Sequence, residues 1–406
     1  MSGQLTIKDG RFRAVDAPVA RQISVHAVVR ILAERGATSQ ADLARLTGYS
    51  RQTISDVVRE LEDAGWLRRS GRTTGKPGRS STVYAMKGNV ALAAAVDLGG
   101  TKVAVALSDL LGTILGEVSV PTDRRGGIHV VEQIAREIGG LLASVGADPA
   151  QLRIAVIGTP GVFHPETQHI ALAPNIAGLD SIDLPGELRT RLHVPVVIEN
   201  DVNLAARGEQ WRGGGIGVSD FVFIAFGTGV GMGIVANGHL VRGARGAAGE
   251  IAYLPVGGDP YDPRGFELGT FESAVGSAAI SARYRHAGAA AGRSVREIFE
   301  ALGQGDDPAL ATIEETARVI ALAVASVAAT LDPQLVILGG SIGARQELVT
   351  ATARYLGRCS PNPPRIQASE LGTRAGLLGA LATALQLLHT ELFGVGLPMS
   401  HAFPVR

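Results

Sequence analysis

The stretch DLGGTKVAVALSD, residues 97–109, decides the fold of the larger part of this chain. An acidic residue closes an apolar run, two glycines and a threonine make the turn, and an apolar strand resumes. Glycines at such a turn let backbone N–H groups approach phosphate closely, and Asp97 can hold a magnesium ion through water. Asp97, Gly99, Gly100, Thr101 and Lys102 are therefore candidate nucleotide-binding residues. A lone Gly-Gly turn is also an ordinary hairpin, so the reading needs company. It comes from GTGVGMG, residues 227–233, where Gly227, Thr228 and Gly229 make a second loop of the kind that can clamp a triphosphate. VIENDVNLAARGE, residues 197–209, puts Glu199, Asn200 and Asp201 at the end of an apolar strand, where α/β sites form. An Asp there can take a hydroxyl proton, and an Asn can orient the same substrate.

Between these motifs, strand-like runs alternate with helical segments: Ala91–Asp97, Val103–Leu107, Ile154–Ile157, Val194–Glu199, Phe221–Phe226 and Leu335–Leu338. This is the grammar of an α/β protein, with two similar halves.

Upstream the texture differs. In SQADLARLTGYSRQTISDVVRELEDAGWL, residues 39–67, Thr38 or Ser39 caps one helix, Gly48 ends it, and Ser50 caps the next. Ile54, Val57, Val58 and Leu61 line the inner face of that second helix, and Gly65 ends it. A preceding helix places Ile23, Ala27, Val28 and Ile31 at helical spacing. Two short strands around a Gly/Lys/Pro/Arg tip follow. Helix, helix-turn-helix and wing make a DNA-binding module over residues 21–88, behind a flexible arm of residues 1–20. Arg51, Gln52, Thr53 and Ser55 are candidates for base edges and phosphates, Arg59 for a phosphate, and Lys76 and Arg79 at the wing tip for the minor groove or backbone.

The charge distribution agrees. The first 90 residues carry 15 Lys+Arg against 8 Asp+Glu; the remaining residues carry 23 against 30. A basic arm on an acidic body suits a polyanionic partner. A single cysteine, Cys359, excludes an internal disulfide framework or thiolate metal cluster. No signal-peptide pattern and no apolar stretch of about 20 residues is present, so a soluble cytoplasmic protein is expected.

DLGGTK, GTPGV (158–162), APNIAG (173–178), ENDVNLAARGE, FGTGVGMGIVANGHLVRGARGAAGEI and LDPQLVILGGSIG together resemble the ROK family of bacterial sugar kinases and sugar-operon repressors. The resemblance covers residues from about 21 to 390. It implies a two-lobed, actin-like and hexokinase-like ATPase fold, with lobes at 89–200 and 201–406 and a final helix at about 375–392 returning to the first. It also implies a sugar and nucleotide cleft. Asn200 and Asp201 match the family's sugar-binding Asn and the Asp that serves as base in its kinases. Glu250 and Glu272 match its sugar-binding glutamates, and Asn175 lies in a loop near the sugar. The winged helix is what sets the family's repressors apart from its kinases.

The chain departs from the family at the zinc site. Tyr253 stands where the family has a zinc-binding His that also helps hold the sugar, and GGDPYDPRGFELGTFE contains none of the family's cysteines. No zinc is expected on ligand count. Three functions stay open: a homo-oligomeric, sugar-responsive repressor that binds operator DNA; an ATP- and magnesium-dependent sugar kinase, glucokinase-like, that carries a DNA-binding domain; and a regulator whose lobes bind a protein rather than a sugar.

Overall fold

The computed structural model describes residues 19–72, 81–164, 169–171, 176–227, 229–289 and 292–393. They divide into two units: residues up to Ile157 with Asn175–Ile198 and Ala380 onward, and Gly158–Pro174 with Glu199–Gly379.

The first unit begins with the winged helix. Helix Gln40–Thr47 is capped by Ser39, whose hydroxyl accepts from the Asp42 N–H, and ends at Gly48 in the left-handed conformation, φ 74°. Helix Arg51–Asp63 starts at Ser50, which accepts from the Thr53 N–H. Such caps satisfy otherwise orphaned donors, so both helix starts are set locally. Ile54, Val57, Val58 and Leu61 are buried as their spacing requires, as are Leu43, Val28, Val29, Ile31 and Leu32 of the two neighbouring helices. The first helix, Val19–Arg35, is rotated from the expected face: Ile23 is 55% exposed while Ser24 is buried. Ser24 can be buried because its hydroxyl donates to the Arg21 carbonyl, 2.8 Å away. Arg21 in turn forms an ion pair with Glu60 of helix Arg51–Asp63, the recognition helix of the expected DNA-binding module.

The wing strands Leu67–Arg72 and Thr82–Met86 pair antiparallel, and Thr38–Ser39 adds a third strand beside the latter. That two-residue strand is too short for any periodicity to announce it. The connection to the body is tied down at both ends. The Lys87 N–H donates to the Trp66 carbonyl (2.8 Å), and the Leu110 N–H to the Gly88 carbonyl (3.0 Å).

The body of this unit is built on a five-stranded sheet. Its spatial order is Val196–Asn200, Leu152–Thr159, Leu92–Leu98, Lys102–Asp109, Ile114–Pro121. Leu92–Leu98 is buried nearly throughout, as expected of a central strand covered on both faces. Ile114–Pro121 instead alternates half-buried and exposed positions at the sheet edge.

The second unit repeats the plan. Reading from the other edge, Arg365–Ala368, Leu335–Gly339, Phe221–Phe226, Val230–Ala236 and His239–Val241 occupy the same ordinal places. Phe221–Phe226 runs parallel to Leu335–Gly339 and antiparallel to Val230–Ala236. The two sheets confirm the reading of two similar α/β halves. The long helix Asp307–Leu331 is started by Asp306, whose side chain accepts from the Ala309 N–H, and stopped by Asp332 in the left-handed region. Among the described residues no helix is long and apolar enough to cross a membrane.

Glu209, in helix Asp201–Arg212, is fully buried. Its carboxylate accepts from the Gly214 N–H (2.8 Å), the Leu371 N–H (3.3 Å) and the Ser369 hydroxyl. One side chain thus anchors two loops. Glu209→Ala should leave those donors unpaired and lower unfolding stability by about 3 kcal/mol, as read by urea denaturation.

Candidate functional site

In the first unit, the loop after strand Leu92–Leu98 is closed by the Gly99 N–H donating to the Lys102 carbonyl (2.9 Å). Thr122 braces it, its hydroxyl donating to the Gly99 carbonyl (2.6 Å) and its N–H to the Thr101 carbonyl (3.1 Å). Gly100 and Thr101 are exposed at the tip. Burial pushes the Asp97 carboxyl above the usual aspartate range, and the charge of Lys102 pulls part of that back.

In the second unit, the site is assembled around strand Val230–Ala236. Its first N–H, on Val230, donates to Glu272 Oε2 at 2.8 Å. The Met232 N–H donates to the Gly249 carbonyl (3.0 Å), immediately before Glu250. A Cβ at Gly231 would lie 2.9 Å from the Val202 side chain, and one at Gly233 2.7 Å from both the Val202 carbonyl and Ala206. Two glycines of GTGVGMG therefore serve close packing of helix Asp201–Arg212 on this strand rather than phosphate. Gly227 and Gly229 belong to the loop itself, where the Gly227 N–H donates to the Gly229 carbonyl (3.1 Å) and Ser277 holds the Gly227 carbonyl (2.8 Å).

Asn200 caps helix Asp201–Arg212. Its Oδ1 accepts from the N–H groups of Val202 (3.0 Å) and Asn203 (3.1 Å), and its Nδ2 donates to the Gly161 carbonyl (3.1 Å). The amide oxygen is thus spent on the fold, leaving chiefly an Nδ2 proton for a ligand. Asp201 Oδ1 accepts from the Val202 N–H at 2.8 Å. Glu199 is fixed from both sides: Oε1 accepts from Asn203 Nδ2 (3.0 Å), and Oε2 from Arg242 Nε (2.7 Å).

Glu250 and Glu272 form an acidic pair. Burial and then the Glu272 charge hold the Glu250 carboxyl above the usual glutamate range. Burial raises Glu272 as well, opposed by the Val230 N–H. Two half-buried carboxylates so placed can accept from hydroxyl groups of a polyol. Tyr253 is 46% exposed. Among the described residues no group of three or more His, Cys, Asp or Glu is gathered as a metal site.

On the recognition helix, Arg51, Gln52 and Arg59 are exposed and Ser55 is half-buried. Thr53 is less available than expected, because its hydroxyl shares a 2.8 Å hydrogen bond with Ser50 in the cap. Lys76, Arg79, Asn175, Thr228 and most of the arm lie outside the described residues.

Residues 93–387 match the ROK family, and residues 21–80 match the MarR family. The chain belongs to the ROK family. Its relatives fall into two groups. An N-acetylmannosamine kinase of Escherichia fergusonii is 32% identical over 71% of this chain and 97% of its own length. A ROK hexokinase structure from Thermus thermophilus superposes with a TM-score of 0.64 at 30% identity, covering 73% of this chain and 99% of its own. A putative xylose repressor of Caldicellulosiruptor is 24% identical but spans 90% of this chain and 96% of its own. The structure of a ROK transcriptional regulator, a homologue of the Escherichia coli MLC protein, gives a TM-score of 0.73 at 22% identity, covering 94% of this chain and 99% of its own. The ROK body with a MarR-type winged helix is the regulator architecture of the family.

Glu209 and the packing pair Gly231 and Gly233 carry site structure that the motif reading did not assign. All three stand inside quoted motifs, but only their contacts separate a loop glycine from a packing glycine.

Raised carboxyl values have a sign. The folded chain holds these protons more tightly than the unfolded chain, so the stabilising effect is full below the ordinary glutamate value of 4.5 and lost as pH rises through the folded value. Glu250→Gln should therefore melt higher than wild type at pH 7. The difference should shrink as the pH falls toward 4.5, as followed by thermal denaturation across pH.

Proposed function

We propose that this regulator represses carbohydrate uptake or catabolism genes and is released from its operator by a sugar held at Asn200, Asp201, Glu250 and Glu272. One observation carries the reading: the capped helix Arg51–Asp63, which presents Arg51, Gln52 and Arg59 to solvent, belongs to a module whose end is fastened to the ROK body, the Leu110 N–H donating to the Gly88 carbonyl. A rigid joint of this kind lets a change in the body reorient the DNA-binding module.

The final helix, Ala375–Phe393, carries buried His389, whose Nε2 lies 2.8 Å from the Leu110 carbonyl oxygen. Sugar weakens DNA binding only if it favours the state that cannot bind DNA.

A homodimer or dimer of dimers follows from function, because one recognition helix reads too few base pairs to find an operator among genomic competitors. The place of action is the cytoplasm, where the DNA is. No zinc is required, since the chain lacks the thiolate ligands.

The second reading, a sugar kinase, is favoured by Asp201 at the head of its helix and by the backbone hydrogen bonds from Gly99 to Lys102 and from Gly227 to Gly229. ATP and magnesium would then be held by Asp97, the loop backbones and Lys102, with Asp201 as the base. ADP release against a sugar panel separates the two readings.

The test of the proposal is DNA binding by the full chain with and without each sugar. Asp201→Ala and Glu250→Ala should keep unliganded DNA affinity within about twofold of wild type and lose the sugar response. A normal response in both variants would place the sensor elsewhere. Arg51→Ala should weaken specific DNA binding by about 1–3 kcal/mol in a folded protein, measured by fluorescence anisotropy.

A further inference from the structure

Helix Arg51–Asp63 carries four acidic side chains, Asp56, Glu60, Glu62 and, at its exposed end, Asp63, against two arginines. Glu60 and Glu62 face back into the module, pairing with Arg21 of the first helix and Arg69 of the wing. Asp56 pairs with the DNA-facing residues themselves. Gln52 Nε2 lies 3.2 Å from both Asp56 carboxylate oxygens, and Arg59 makes an ion pair with Asp56 Oδ1. The side chains of Asp56 and Arg59 are 35% and 65% exposed, so this network lies at the surface.

The chemistry fixes how Gln52 is presented. An ionised carboxylate only accepts hydrogen bonds, so the Gln52 NH₂ must face Asp56 and its Oε1 must face away. A free glutamine can read adenine bidentately, donating to N7 and accepting from N6. A glutamine held by Asp56 offers mainly an acceptor, suited to the exocyclic amine of adenine or cytosine. Arg59, meanwhile, is partly neutralised and is a weaker phosphate contact than a free arginine.

We infer that Asp56 is a specificity-determining residue of the DNA interface, holding Gln52 as an acceptor and Arg59 back from indiscriminate phosphate binding. The inference rests on the DNA-binding reading given above and adds to it the residue that separates specific from non-specific binding. Surface ion pairs contribute little to stability, so neutralising Asp56 alters recognition far more than folding.

The experiment uses the full chain as wild type, Asp56→Asn and Asp56→Ala. Each is mixed with a duplex library carrying a randomised 20-base-pair core, and the bound fraction is sequenced. Affinity for the unselected library is measured in parallel across a salt series. Wild type should enrich a defined motif. Both variants should bind the unselected library about tenfold more tightly near 0.15 M salt, with a log–log salt slope steeper by about 0.9, the signature of one added phosphate contact. At the position read by Gln52, base preference should shift about tenfold, from adenine or cytosine alike toward adenine, as the freed amide reads it bidentately. If both variants enrich the wild-type motif with unchanged preferences and unchanged library affinity, Asp56 has no such role. A wild-type chain that enriches no sequence overturns both this inference and the DNA-binding reading beneath it.

Discussion

The site in the second unit depends on one strand. Val230–Ala236 receives Glu272 at its first N–H, Gly249 and hence Glu250 through Met232, and helix Asp201–Arg212 on Gly231 and Gly233. Each attachment is short-ranged, and two of them tolerate no Cβ. The sugar-binding candidates of this unit therefore lie within a few bonds of one rigid backbone segment. Side chains on such a support can hold fixed positions before a ligand arrives.

The same arrangement has an energetic cost. Glu250 and Glu272 are both driven upward in pKa by burial, and Glu250 also by its neighbour. A ligand with several hydroxyl donors relieves that desolvation directly, whereas water reaches half-buried carboxylates incompletely. Under the proposed sugar-binding reading, stability given up in the unliganded site would be a source of binding free energy for a hydroxyl-rich ligand. Tyr253, at the position where the family resemblance implies a histidine, is nearly half exposed; under the proposed sugar-binding reading the acidic pair and the Asn200–Asp201 helix start would carry more of the recognition.

Much of this was legible in the sequence where the cause is local. Ser39, Gly48 and Ser50 fix the helix-turn-helix by caps and a left-handed turn, and the buried strands show as continuous apolar runs. Strand ends extended beyond those runs because polar residues such as Lys102 and Asn200 complete the ladders. Ile23 misled because helical spacing gives a stripe but not which side of it docks; Ser24, bonded to its own helix, took the inner place. Gly231 and Gly233 were left unassigned within GTGVGMG because a close helix and a close phosphate both require a missing Cβ, and the sequence does not say which. The role of Asn200 as a cap was hidden in the same way, since an amide at a strand end serves helix or ligand equally well.

Linkage makes the central claim measurable. If one sugar biases the chain toward a state that cannot bind DNA, then DNA must weaken the sugar by the same factor, typically about 5–150-fold. Calorimetric titration of the full chain with its inducing sugar, free and saturated with operator duplex, measures that factor from one side; a DNA titration with and without saturating sugar measures it from the other. The account requires the two factors to agree and both to be lost in Asp201→Ala. Equal sugar affinity in free and DNA-bound protein would contradict it.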